Sequence, residues 1–433
     1  MSVLLDVVLG EVGDDREEVF RSLIDELDGR CAETQAHQSS TDAHENGWSA
    51  GGICGTLAEL PTTKAAHLSR ISCVRALHKD LIRSLLRVRQ GDGLFVSNKG
   101  DSRSSPTVSA VAALALTETE EGLSAAQDTI KKLLKARGRQ GPAKGAWSPQ
   151  SGDVRHVLAT AWPLFAATRI LPNEVAALKS TICWLTTAAR TRNSAWGWHD
   201  KTPPRPFPTA FALNALLAVK ACEQHGNLEP NVTAKIDEAI RAGVDHLLET
   251  ANRPDSTLIY WPDRSRSQKR ICLATTSICY HVLHKHIALD RGRTVEPQLS
   301  EAISTTFAAM CQGLGAKGLD ALEFEVPLPL GNVRASTWPV IHVTDGINYT
   351  FAFFTPLLAT TLVELFKDIQ NSPYAPQLRA ACVQMVDWIL AQRQHLLDSD
   401  GFLNVPGQAP AVWATAQGAI VLGRVTKVAE LLL

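Results

Sequence analysis

Apolar residues recur at helical spacing through residues 64–88, with Ile71, Val74, Leu77, Leu81 and Leu85 on one face. That is the period of an amphipathic helix. The same period marks 125–136, 175–189, 236–248 and 378–392, each with charged residues on the opposite face. Between them lie segments of another kind, at 108–116, 158–162, 207–216, 271–283, 348–354 and 412–416, rich in Ala, Thr, Ser and Phe and almost free of charge. A helix that is apolar all round is buried all round. The alternation therefore predicts two sets of helices, one inside and one outside. No segment keeps the strict alternation of a half-buried strand, so the chain reads as all-α.

Each apolar segment is preceded by a glycine or aromatic turn and a polar loop. The turns are Gly93-Leu94-Phe95, Gly145-Ala146-Trp147, Ala195-Trp196-Gly197-Trp198, Tyr260-Trp261-Pro262, Trp338-Pro339 and Gly401-Phe402. A threonine follows near the start of each apolar run, at Thr107, Thr160, Thr209, Thr275, Thr350 and Thr415. The intervals, about 50 to about 75 residues, suit two helices and their loops. About six helical hairpins closing on themselves would leave no end hairpin exposed. The ring is placed at 46–433, with 1–45 as a helical extension and a polar linker. Trp147, Trp196, Trp198 and Trp261 are expected to pack between hairpins.

Composition narrows the function classes. A net charge of −1 gives no case for nucleic acid or an anionic membrane. The nine cysteines are scattered without a CxxC pair, as expected of reduced thiols in a cytoplasmic protein. The first twenty residues turn acidic after a short apolar run, unlike a signal peptide, and no run of 18 apolar residues suggests a membrane span. Walker A, GxGxxG, HExxH and GxSxG motifs are absent. His281, His284 and His286 have spacing compatible with a metal, but they lie at the C-terminal end of an inner helix. There histidines complement the helix dipole, and no metal site is assigned.

The recurring turn, loop and Thr-Ala helix resembles the squalene/hopene cyclase and prenyltransferase superfamily, the α/α toroids, over roughly residues 47–433. The resemblance implies a ligand cavity among the N-termini of the inner helices and the loops before them. Class II cyclases of that superfamily protonate their substrate with a DxDDTA motif. Here Gly346-Ile347-Asn348-Tyr349-Thr350-Phe351 stands in its place, and Asp345 is the one nearby acid. Protein prenyltransferases hold zinc with an Asp-x-Cys pair and a distant histidine, and no Asp-x-Cys occurs.

Arginines gather just ahead of the apolar helices: Arg103 before Thr107, Arg155 before Thr160, Arg205 before Thr209 and Arg270 before Thr275. Converging in a ring beside helix N-termini, they would form an anion-binding mouth. Phe207, Phe211, Asn348, Tyr349, Phe353 and Trp413 would line the shaft below it. His156 and Asp345 are the candidate proton-transfer groups. The expected ligand is an isoprenoid or other phosphorylated small molecule, handled by a transferase or lyase. No cofactor is called for by a motif, although a diphosphate would bring Mg²⁺ with it. The alternative is a non-catalytic toroid acting as a ligand sensor or a scaffold for a protein partner.

Overall fold

The computed structural model describes residues 64–138, 144–148, 155–188, 195–199, 202–223, 228–253, 258–262, 271–289, 323–326, 333–336, 341–342, 348–349, 400–402 and 410–427, with isolated positions between 302 and 397. The chain divides into two compact units, Met1–Cys73 and Val74–Leu433. The expected boundary near residue 45 lies outside the described residues. In the larger unit, the described helices are the remainder of α1 (Lys64–Val88), α2 (Pro106–Leu116), α3 (Glu120–Ala136), α4 (Val157–Ile170), α5 (Lys179–Cys183), α6 (Pro206–Glu223), α7 (Pro230–Thr250), α8 (Leu273–Leu289) and α9 (Val412–Lys427).

The two helix types take the places their patterns predict. The charge-poor α2, α4, α6 and α8 pack side by side in chain order, and α9 returns to pack on α2. The fold is an α/α toroid. The closing seam is also a backbone pairing. Asn98 and Ala411 face each other in an antiparallel bridge, flanked by Lys99 N–H donating to Pro410 O at 2.9 Å and Val412 N–H to Ser97 O at 3.1 Å. Amphipathic α3 and α7 turn one face inward, burying Ala126, Ile130 and Leu133 or Ile236, Ile240 and Leu247. The third outer element is not one helix but three short pieces: a 3₁₀ turn at Pro172–Leu178, α5, and a π turn at Trp184–Ala188.

One joint repeats around the ring. The backbone N–H of Phe95 donates to Ser109 Oγ at 2.9 Å, that of Trp147 to Thr160 Oγ1 at 3.1 Å, that of Trp196 to Thr209 Oγ1 at 3.2 Å and that of Trp261 to Thr276 Oγ1 at 3.1 Å. The anchors of the first and fourth repeats are thus Ser109 and Thr276 rather than Thr107 and Thr275. Each tryptophan also fastens the preceding outer element. Its indole N–H donates to a carbonyl near that element's C-terminus: Trp147 to Leu133 at 3.1 Å, Trp196 to Leu185 at 2.8 Å and Trp261 to Leu247 at 2.7 Å. Helix C-termini leave carbonyls without intrahelical donors, and a buried indole needs an acceptor, so one contact satisfies both. These tryptophans build the wall, as their place between hairpins implied.

The turns need glycine where the chain reverses: Gly93, Gly145 and Gly401 have φ of 80, 90 and 80°. At Gly145 a Cβ would also lie 2.4 Å from the Ser180 carbonyl carbon, so the position excludes any side chain.

Short strands depart from the purely helical expectation. β1 (Ile271–Cys272), β2 (Glu323–Val326) and β3 (Val333–Ser336) form a small sheet in the order β1-β3-β2. β4 (Ile341–His342) and β5 (Asn348–Tyr349) pair antiparallel. Strands of two to four residues are too short for an alternating pattern to register. Among the described residues no helix is long and apolar enough to cross a membrane.

Candidate axial site

Most side chains of the inner helices are buried by their neighbours. Accessible positions that share a helical stripe are Leu158, Trp162 and Arg169 on α4, His281, His284, Lys285 and Leu289 on α8, and Gln417 and Arg424 on α9. His286 and Thr426 lie off these stripes, and Lys220 of α6 turns outward to Asp237 of α7.

A line of rings follows the α4 stripe between α4 and α6. His156, just ahead of α4, lies 5.8 Å between ring centroids from Trp198. Trp198 lies 5.6 Å from Phe207, and Phe207 lies 4.9 Å from Phe211. Phe211 lies 5.3 Å from Trp162, and Trp162 lies 6.1 Å from Phe165. The separations are those of tilted and edge-on aromatic contacts. The proline loop positions the upper part: Arg205 N–H donates to Trp196 O at 3.0 Å, and Val157 N–H to Trp198 O at 2.8 Å. The buried Trp198 indole N–H has no acceptor among the described residues, leaving a donor in the aromatic wall.

At the upper rim, burial first and the neighbouring His199 second lower the His156 pKa to about 4. The imidazole is therefore neutral near pH 7. It can accept a hydrogen bond, but it cannot serve as a proton donor of the kind a cyclase needs. Further down, Lys285 Nζ lies 5.3 Å from the Phe165 ring centroid and donates to Asn214 Oδ1 at 3.1 Å. The Arg169 guanidinium lies 5.9 Å from the same ring. Burial, and then Arg169 and Arg424, lower the Lys285 pKa to about 7. His281 is held well below its ordinary range by burial first, and then by Lys285, Arg424, His284 and Arg169.

Of the residues expected to form the mouth, Arg103 is exposed while Arg155, His156 and Arg205 are partly buried. Phe207 and Phe211 are buried in the aromatic line, and Trp413 is buried at the start of α9. Asn348 and Tyr349 lie in β5, with their side chains outside the described residues. Arg270, Asp345 and Phe353 also lie outside the described residues. Measured from the anchors that make the hydrogen bonds, Arg103, Arg155 and Arg205 stand six, five and four residues ahead of Ser109, Thr160 and Thr209. They follow the loops rather than a common helical register. Sequence reasoning placed the cations in the loops and not at Arg169, Lys285 and Arg424, whose signal is a charge inside a charge-poor helix. A separate groove lies on the outer surface, lined by Asp80, Arg83, Arg87, Glu121 and Asp400. Its Arg87 is committed to the Asp400 carbonyl at 2.7 Å.

The fold and its axial lining thus define an α/α-toroid protein with an aromatic wall. Known structures share the toroid. Cellobiose 2-epimerase from Spirochaeta thermophila DSM 6192 aligns at 15% identity over 82% of this chain and 98% of its own, with a TM-score of 0.55. The GH76A α-1,6-mannanase from Salegentibacter sp. HEL1_6 aligns at 12% identity over 83% and 99%, with a TM-score of 0.53. A type II terpene cyclase variant from Scytonema, MstE_Y157F, aligns at 12% identity over 84% and 99%, with a TM-score of 0.49. At these identities the likeness establishes the fold alone. The cyclase resemblance is consistent with that fold but not specific to it, since sugar-active enzymes share it. No family model matches the chain, and no curated protein matches it.

Proposed function

We propose that the toroid binds a small amphiphilic molecule along its axis, an isoprenoid or other phosphorylated compound, and acts on it as a transferase or lyase. The observation that carries this reading is the unbroken line of rings from His156 to Phe165 beside accessible positions of α4. An apolar body would lie along that line, with Trp198 Nε1 donating to a polar atom near its upper end. Arg155 and Arg205, with Arg103 and Arg270, would hold the anionic head at the rim. The neutral His156 would accept a hydrogen bond and orient a hydroxyl or water, which favours transfer or elimination over acid-initiated cyclisation. That the toroids aligned above include enzymes is in keeping with this reading, though fold does not determine chemistry.

Calorimetric titration with farnesyl diphosphate tests it. The full-length protein should give saturable heat, and Arg205→Ala combined with Arg270→Ala should abolish it. Phe211→Ala should weaken binding by about tenfold or more, since trimming an aromatic contact removes at least about 1.4 kcal/mol. Absence of heat from the unaltered protein would overturn the isoprenoid reading.

A further inference from the structure

The hydroxyl joints set a common register for the inner helices, and nine residues past most of them the chain carries charge. Glu118, in the turn just past α2, follows Ser109, Arg169 follows Thr160, Lys285 follows Thr276 and Arg424 follows Thr415, whereas Ala218 after Thr209 and Ala359 after Thr350 carry no charge. Thr415 takes its place in the series by standing 13 residues after Phe402, as Thr160 and Thr209 stand after Trp147 and Trp196. Nine residues of α-helix rise about 14 Å. The charges therefore share a level at the end of the ring away from the turns and the loop arginines.

Contacts show that this level is built rather than coincidental. Lys285 Nζ and the Arg169 guanidinium approach one ring, Phe165, from α8 and α4 at 5.3 and 5.9 Å. Asn214 from α6, itself only 5% exposed, accepts from Lys285. His284 lies 6.1 Å between ring centroids from Tyr280, and His281 stands one turn before Lys285. Arg424 from α9 interacts with Arg169 and with Glu118, the acidic member of the level. The C-terminal dipole ends of the inner helices favour each cation singly. They do not remove the repulsion between Arg169 and Lys285, which meet at one ring, and Arg424, beside Glu118, adds to it.

We propose that Arg169, Lys285 and Arg424 form an oxyanion site at this end of the axis, taking the carboxylate or phosphate group of a small molecule. Arg169 and Arg424 supply planar donors suited to two oxygens. Lys285, already oriented by Asn214, supplies a point charge. The exposed side of Arg169 leaves the site open to a ligand. An arriving anion would restore the Lys285 proton, so binding strengthens as pH falls through the range in which that amine titrates. The charged groups acting on it are Arg169 and Arg424, with Glu118 beside Arg424; His281 and His284 precede it on its own helix, and His281 is held well below its ordinary range. The site does not depend on the isoprenoid reading, because a bare inorganic anion can occupy it.

The test is the thermal unfolding of the full chain in inorganic phosphate, and in a parallel arm acetate, against chloride at equal ionic strength. Phosphate stabilises proteins generally by exclusion from their surface, so the quantity read is the difference between the unaltered protein and Lys285→Met or Arg169→Met. The unaltered protein should show an extra rise in Tm with phosphate, acetate or both, and both variants should lack it. Lys285→Arg should keep it, which guards against a variant that merely folds poorly. The acetate increment should be larger at about pH 6 than at about pH 8, since acetate keeps its own charge across that range. Equal increments in the unaltered protein and both methionine variants would overturn the proposal. Phosphate and acetate lack an apolar body, so failure here is separable from failure of the farnesyl diphosphate titration.

Discussion

At the scale of residues, the axial site is governed by what burial does to ionisable groups. His156 shows this most directly. Its pKa falls from 6.5 to about 4 in the folded protein. As pH drops through 6.5 the unfolded chain takes up a proton that the folded chain refuses until about pH 4. The stability is therefore complete above 6.5 and declines across that window. His156→Gln should flatten the decline by up to one proton's worth, about 1.4 kcal/mol per pH unit. Denaturant unfolding at a series of pH values would measure it. His246 and His281 are also lowered by burial, so a slope will remain; an unchanged slope would show that His156 does not carry its share. This behaviour was invisible in the sequence, where His156, beside an arginine ahead of an apolar helix, reads as a candidate proton-transfer group. Burial comes from the ring as a whole, and no local pattern encodes it.

The elements were largely legible. The bounds of α1 and the C-terminal end of α2 follow from periodicity alone, because a long apolar stripe or a charge-free run leaves little choice. The outer segment at 175–189 read as one helix, yet it folds as a 3₁₀ turn, a short α-helix and a π turn. Trp196 settles the matter there, since its indole takes the Leu185 carbonyl in the π turn, a tertiary contact that a one-dimensional pattern cannot carry. The anchors slipped by one or two residues for the same reason: Ser109 and Thr276 are chosen by where Phe95 and Trp261 present their N–H groups. Packing of α7 against the same tryptophan gives a testable case. A Cβ at Gly243 would lie 2.7 Å from Trp196 Cζ3 and 2.8 Å from Leu213 Cδ2. Alanine would gain about 1 kcal/mol of helix propensity, whereas overpacking against a fully buried, hydrogen-bonded indole costs about 1–3 kcal/mol. Gly243→Ala should therefore lower stability in chemical denaturation, and a gain would mean that α7 can move away from Trp196.

At the scale of the whole molecule, the account turns on closure. Side chains nine residues into each inner helix can meet only if the last hairpin returns to the first. The sequence suggested closure through the count of repeats, but it could not show the seam, which joins residues more than 300 positions apart. Asn98 and Ala411 occupy that seam as an antiparallel pair. The flanking hydrogen bonds mark it as the closely spaced, non-hydrogen-bonded kind, with Cα atoms about 4.5 Å apart, within disulfide range. The most direct measurement is oxidation of the double variant Asn98→Cys, Ala411→Cys, followed by non-reducing peptide mapping and thermal unfolding. A closed toroid predicts an intramolecular 98–411 disulfide in nearly all molecules and a raised Tm, because the bond constrains a very long loop in the unfolded chain. An open arrangement would give no such peptide under conditions that leave the protein folded and monomeric, and that result would contradict the ring on which the axial site depends.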